Sequence, residues 1–209
     1  MEWTFDKIIT TEKELRETLG HPSERVTRKT IHYIDENCTK FIENSPFITI
    51  ATADSNGNFD VSPKGDPPGF VKVLNDKMLA IPDRPGNRKA DTFTNILQNP
   101  NIGLIFLIPG INETLRVNGE AKIVRDQRVL ELLSCQGKLP SFAIIVTVKE
   151  AFMHCAKCMI RSNLWMKIDD TPERSVPSLA KSLVDHGKLD ISYEEMDELI
   201  KNDEKTNLY

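Results

Sequence analysis

The sequence predicts an α+β fold in which an antiparallel β-barrel is flanked by helices. Two patterns lead there. Short β-branched or apolar runs recur through the middle of the chain with turn residues between them. Segments with helical spacing lie before, within and after that series. A chain of 209 residues, 39% hydrophobic, can bury one real core, so one domain with additions is expected rather than two equal domains.

Taken in order, Glu12 to Leu19 is a short helix candidate. Ile31, Ile34, Cys38, Phe41 and Ile42 recur at helical spacing with charges between them, which predicts a second helix packing one face on the core. Residues 1–45 therefore read as an N-terminal helical segment lying on the barrel. After Pro46 the character changes. Phe47-Ile-Thr-Ile-Ala-Thr-Ala53 is β-branched and short, and Asp54-Ser-Asn-Gly57 tolerates positive φ, so a β-hairpin starts here. Further strands are expected at Phe70 to Leu74, Met78 to Ile81, Ile102 to Ile108, Leu115 to Val124 and Phe142 to Val148, separated by turn signals such as Asn75-Asp76 and Pro109-Gly110. Two helical inserts interrupt them. Arg88 to Gln98 carries Ala90, Phe93, Ile96 and Leu97 on one side, and Asp126 to Leu133 is shorter. Residues 46–168 form the barrel. Residues 169–209, punctuated by Pro172 and Pro177 and acidic around Tyr193 to Glu198, read as a helical appendage: a pair of short helices and a frayed tail.

Charge and composition exclude several classes. With 27 basic against 31 acidic residues and a net charge of -4, the chain is not expected to bind nucleic acid. The apolar run near Ile102 to Ile108 is far short of the ~20 residues a membrane helix needs, and the N-terminal residues lack a basic-then-apolar signal pattern. No membrane partner and a cytoplasmic location are expected. Cys38, Cys135, Cys155 and Cys158 are too sparse for a disulfide framework. Cys155-Ala-Lys-Cys158 with His154 invites a zinc reading, but the remaining cysteines and histidines supply no matching second pair to complete a tetrahedral ligand set, so no metal is expected and Cys158 reads as a small apolar filler.

The most informative segment is Ile81-Pro-Asp-Arg-Pro-Gly-Asn-Arg-Lys-Ala-Asp-Thr-Phe-Thr-Asn-Ile96. A strand ends, a Pro/Gly loop turns, and a helix is expected from Arg88 with Asn87 as its N-cap. The free N–H groups of a first helical turn beside Arg88 and Lys89 make an anion pocket, and a dianionic phosphate fits it better than a single carboxylate. A solvated basic turn before a capped helix is the plainer alternative.

Strand, Gly-Asn-Arg-Lys and helix together resemble the Ser-Arg-Lys phosphate-binding step of the pyridoxamine 5'-phosphate oxidase-like flavoproteins. Asp60-Val-Ser-Pro-Lys-Gly-Asp66 upstream, and Thr114-Leu-Arg-Val-Asn-Gly119 and His154-Cys-Ala-Lys-Cys-Met-Ile-Arg-Ser-Asn-Leu-Trp165 downstream, fall where that family has its other blocks. The resemblance spans most of Phe47 to Trp165. It implies a split β-barrel working as a homodimer with non-covalent flavin mononucleotide (FMN) between the subunits. Arg88 and Lys89 would clamp the phosphate, with Asn87 in place of the family's serine. Asp83 and Arg84 would line the flavin from the strand end. Ser62, Pro63 and Lys64 would lie along the isoalloxazine edge, although Lys64 also reads as an ordinary exposed lysine. Arg116 would face either cofactor or solvent. Arg161, Ser162 and Trp165 would close the site, often from the second subunit.

The chain departs from the family's vitamin B6 enzymes, which add an Arg-Leu-His type substrate segment and finish near Arg-Leu-x-Pro; here the last residues are Glu204-Lys-Thr-Asn-Leu-Tyr209. Pyridoxamine 5'-phosphate is therefore not the expected substrate. The residues offer no clear general acid or base. Redox chemistry on bound FMN, with a small-molecule substrate or a reduced nicotinamide as partner, is the favoured reading. The alternative is a non-catalytic binder or sensor of flavin, heme or deazaflavin on the same fold.

Overall fold

A computed structural model of the protein describes residues 2–166, 176–207 and 209. The expected boundary between residues 168 and 169, and Pro172, lie outside the described residues. The chain runs α1 (Glu12–Leu19), α2 (Glu24–Arg28), α3 (Glu36–Asn44), β1 (Phe47–Ala53), β2 (Phe59–Gly65), β3 (Lys72–Asn75), β4 (Met78–Pro82), α4 (Asp91–Gln98), β5 (Asn101–Leu107), β6 (Thr114–Val124), α5 (Gln127–Leu132), β7 (Ala143–His154), α6 (Lys157–Ser162), α7 (Leu179–Gly187) and α8 (Tyr193–Thr206). All strand pairs are antiparallel, in the order β2-β1-β5-β6-β7-β4-β3. The two end strands, β2 and β3, do not pair with each other, so the sheet curls without closing. This is the expected α+β split barrel.

Alternation places the core. Ile48 and Ile50 of β1, Leu104 and Phe106 of β5, Leu115 and Val117 of β6, Val146 and Val148 of β7, and Leu79 and Ile81 of β4 all project into one buried cluster. Helix α3, capped by the Asp35 carboxylate accepting from the Cys38 N–H at 2.8 Å, covers that cluster with Cys38 and Ile42. Burial, aided by the neighbouring Asp35 charge, pushes the Cys38 thiol up to about 12. A second cluster of Ala80, Leu130, Leu133 and Ala143 packs α5 on the opposite side of β4 and β7, which is why β4 is buried on both faces.

Four expectations change here. The helical spacing from Ile31 to Ile42 covers a helix only from Glu36. Ile31 instead forms a bridge with Ala151, its N–H and C=O both bonded there, and the Ile34 N–H donates to Asp76. Both still reach the core, so the period was one of burial rather than of one helix. Packing on the barrel also belongs to α3, since α1 buries none of its residues. Leu97, expected on the inner side of α4, is 79% exposed, while Thr92, Asn95 and Ile96 are turned inward. Cys158 is exposed and fills no apolar space.

Strand β7 runs through twelve residues because its register with β6 shifts between Asn118 and Gly119, letting both strands continue past the bulge. Gly119 sits where a Cβ would be driven into the Thr147 carbonyl oxygen of the facing strand. Gly119→Ala is expected to destabilise the fold by about 1–3 kcal/mol, the usual cost of overpacking, read as a lower urea midpoint with unchanged slope; an unaltered midpoint would show that the β6–β7 contact yields freely.

Candidate functional site

Strand β2 lies at an edge of the sheet and pairs only with β1, a position that accommodates Pro63. Its inward face, in register with buried Thr52, Ile50 and Ile48, carries Asp60, Ser62 and Lys64, while Phe59, Val61 and Pro63 point outward. A polar inward face cannot be sealed into an apolar core. It forms instead one wall of a cleft of about 950 Å³. The opposite walls are the loop from Asp83 to Ala90, the start of α4, the stretch from Lys138 to Phe142, and Asp203, Asn207 and Tyr209.

The wall groups are bonded to one another. Lys64 Nζ donates to Ser62 Oγ at 2.9 Å, and Thr92 Oγ1 donates to Asp60 Oδ2 at 3.0 Å. Behind them Asn95 Nδ2 donates to Thr52 Oγ1 at 3.1 Å, which satisfies the buried amide of α4. Asp83 follows β4 and continues its pairing, its N–H donating to Phe142 O at 3.0 Å. Burial raises the Asp83 carboxyl above its ordinary 3.8, against the opposing charges of Lys64 and Arg84. Arg84 Nε donates to Asp66 Oδ2 at 2.6 Å and Nη2 donates to Leu133 O at 2.9 Å; the Asp66 side chain is 2% exposed and that of Arg84 17%. A buried pair of this kind is held by its additional hydrogen bonds as much as by charge.

The loop from Asp83 to Ala90 departs from its expected geometry. Helix α4 begins at Asp91, three residues after Arg88, with Ala90 as N-cap. Asn87 does not cap it, because its Oδ1 accepts from the Lys89 N–H at 3.0 Å in a local turn that consumes the acceptor. Arg88 and Ala90 both hold left-handed conformations, at φ 59° and 61°, which costs each non-glycine residue of order 1 kcal/mol. The helix opens with no side-chain cap, and its first residues, Asp91, Thr92 and Phe93, line the cleft. Lys89 Nζ is bonded to Asp91 Oδ2 at 2.5 Å, and that hydrogen bond and charge raise its pKa.

Of the residues expected at the site, Ser62, Lys64, Asp83, Arg84, Asn87, Arg88 and Lys89 share this cleft. Pro63 lies on the other face of β2 because adjacent strand residues alternate. Arg116 points outward, its guanidinium 5.6 Å from the Phe152 ring centroid. Arg161, Ser162 and Trp165 lie at and beyond α6; Ser162 Oγ donates to Met159 O, and Trp165 Nε1 donates to Ile111 O at 2.8 Å. None of the three lines the cleft. Asp60, Thr92, Lys138, Phe142 and Tyr209 line it without having been singled out by the sequence. Asp60 was within reach, since period-two alternation sets it on the face of Ser62 and Lys64. Tyr209 had no local signal. Among the described residues no group of His, Cys, Asp and Glu is placed to hold a metal ion.

A polar cleft is thus let into the open side of an antiparallel split barrel. The sequence profile of the pyridoxamine 5'-phosphate oxidase family matches residues 34–155, more than half of the chain, and the chain belongs to that family. No curated protein sequence matches it. Solved structures with a similar course include HupZ from Group A Streptococcus, with TM-score 0.49 and 20% identity over 57% of this chain and 93% of that one. An FMN-binding protein from Syntrophomonas wolfei subsp. wolfei has TM-score 0.46 and 13% identity over 68% and 96%. HutZ, the heme storage protein from Vibrio cholerae, has TM-score 0.42 and 17% identity over 57% and 93%.

The raised Asp83 carboxyl has a consequence for stability. The folded state binds this proton more tightly than the unfolded chain, so folding is penalised as pH rises from the ordinary carboxylate range through the raised value, and the penalty is complete above it. Asp83→Asn is therefore expected to gain stability over the parent as pH rises, with the difference shrinking in acid. Urea unfolding at several pH values checks this, and a difference independent of pH would contradict the burial of the charge.

Proposed function

We propose that the protein is a redox flavoprotein that binds FMN non-covalently in the cleft between β2 and the 83–90 loop, and that it acts as a homodimer. The observation that carries the reading is the strained, uncapped start of α4 beside Arg88 and Lys89, at the end of a cleft within the ~300–1,000 Å³ range of ligand pockets. Left-handed Arg88 and Ala90, on either side of Lys89, and free helix N–H groups would form an anion-binding concavity, and the loop cations add charge-assisted donors. The residues fit the group: Arg88, Lys89 and the first N–H groups of α4 would hold the phosphate, and Ser62, Lys64 and Asp83 would border the rest. Family membership supports a flavin in particular. Among the described residues lining the cleft there is no histidine, cysteine or methionine, and the Tyr209 hydroxyl is already bonded to Asp66, so the cleft favours flavin over heme.

When bound, FMN supplies hydride and single-electron chemistry. The chain's own groups orient and balance charge. Lys64 places a cation on the β2 wall, where it favours an electron-rich ring. Asp83, with its raised carboxyl, can hold a proton at the strand end. Lys89 must exchange its Asp91 partner for the phosphate; a pair whose lysine is exposed and whose carboxylate is only partly covered is weak enough to allow it. The substrate is proposed to be a small molecule or a reduced nicotinamide, distinct from pyridoxamine 5'-phosphate.

The homodimer is supported by the outward face of the sheet. Phe59 is 79% and Val61 65% exposed, and Phe47 and Ile105 of the adjoining strands lie on the same side, so an apolar edge faces outward where a lone domain gains nothing from it. Arg116 stands beside Ile105 on this face. Arg161, Ser162 and Trp165 are proposed to reach the neighbour's cofactor across a two-fold interface.

Two experiments test these readings. Arg88→Ala with Lys89→Ala should weaken FMN binding by about a hundredfold, since charge-assisted bonds contribute roughly 1.5–3 kcal/mol each, while riboflavin affinity and unfolding midpoint stay near those of the parent. A fully loaded yellow double variant would remove the phosphate site. For assembly, Val61→Glu puts a charge in the centre of the outward face and should convert a dimer into a folded monomer by light scattering; a parent that is monomeric with flavin bound overturns the interface.

A further inference from the structure

The end of the chain contributes a wall of the cleft through a small set of contacts. Helix α8 opens with a capping box between Ser192 and Glu195 and packs on α7, with the Tyr193 hydroxyl donating to Asp185 at 2.8 Å, yet it buries none of its own residues. A helix with no buried face gains little from its position. Among the described residues, Tyr209 joins its far end to the barrel. Its hydroxyl donates to Asp66 Oδ1 at 2.7 Å, its carbonyl oxygen accepts from Lys138 Nζ at 2.6 Å, and the Arg84 guanidinium stands 5.8 Å from its ring centroid. Asp66 is thus shared: one oxygen accepts from Arg84 of the cleft wall and the other from Tyr209, with Cys135 Sγ 3.8 Å from the same atom. Asp203 and, one turn on, the C-cap Asn207 line the cleft with it.

We propose that Tyr209 is a positioning residue of the ligand cleft: its hydroxyl, bonded to Asp66, holds the end of α8 across the cleft and so sets how fast a flavin-sized ligand enters and leaves. The ligand part of this inference rests on the FMN reading above; the attachment itself does not. The bond is a charge-assisted O–H···O⁻ contact to a carboxylate that water barely reaches, and it strongly favours the protonated phenol. Because Asp66 is already neutralised by Arg84, losing the Tyr209 hydroxyl leaves the carboxylate paired and the fold intact. What is released is the hydroxyl's hold on the end of α8, leaving the Lys138 bond to the Tyr209 main chain as the remaining hydrogen bond there.

Tyr209→Phe on the full chain separates the hydroxyl from the ring, and Tyr209→Ala removes both. In the absence of ligand, hydrogen exchange across residues 193–207 should quicken at least about tenfold in Tyr209→Phe, equivalent to ~1.4 kcal/mol, with the strands unchanged. With FMN, stopped-flow flavin fluorescence should show association and release both accelerated, so that Kd moves less than either rate. A ring that merely touches the ligand gives a different pattern, in which Tyr209→Phe behaves as the parent, or release alone quickens in Tyr209→Ala; either result overturns the latch. A parent that takes up no FMN overturns the flavin reading, and hydrogen exchange then decides the latch by itself: unchanged exchange in Tyr209→Phe refutes it.

Discussion

Strand β2 carries its residues the opposite way round from an ordinary barrel strand, and the rest of the site depends on that inversion. Period-two alternation gives it no freedom: with Phe59, Val61 and Pro63 outward, Asp60, Ser62 and Lys64 must face in. Three polar side chains cannot be buried without partners, so the barrel stays open along this edge, and α4 meets β2 through Thr92 and Asp60 rather than through an apolar seam. The same inversion leaves apolar groups outside, on a face suited to a second copy. Cleft and outward apolar face are two results of one strand's register.

The cleft wall opposite β2 is held by a different kind of constraint. Asp66, at the end of the β2 block, and Arg84, just past β4, are far apart in sequence and meet as a nearly dehydrated pair, with the Leu133 carbonyl taking a further guanidinium proton. This pair pins the root of the 83–90 loop to the barrel. Beyond it, the loop turns through two left-handed residues before α4 starts. Strain that neither glycine nor asparagine relieves at these two positions is maintained by the packing on both sides: Arg84 at one end, and buried Thr92, Asn95 and Ile96 at the other.

Much of the fold was legible in the residues. Apart from β2, each of the strands from Phe47 onward fell on a β-branched or apolar run bounded by turn residues, and Asp126 and Asp54 acted as the cap and turn their side chains suggest. The errors share a cause. Ile31 to Ile42 and Ala90 to Leu97 have helical spacing, but spacing reports which positions are buried and not what backbone buries them. Ile31 reaches the core through a bridge to Ala151, and α4 turns toward a polar cleft, so Leu97 faces out and Asn95 in. Asn87 looked like a cap because asparagine often is one; its acceptor was taken two residues later by Lys89.

The sequence alone determined the α+β class and most of the strand series, because alternation and turn chemistry are local and act wherever the chain is read; the family resemblance, not periodicity, implied that Ser62, Lys64, Asp83, Arg84, Asn87, Arg88 and Lys89 lie near one cleft. Tertiary structure decided what lies beyond local reach. It paired Asp66 with Arg84, chose which faces of β2 and β6 point outward, and brought Tyr209 from a tail that seemed frayed to the rim of the cleft. Asp66 with Arg84 and Asp66 with Tyr209 are contacts between residues whose separation along the chain carries no periodic signature, and only the curling of the sheet and the packing around it bring them within hydrogen-bonding distance.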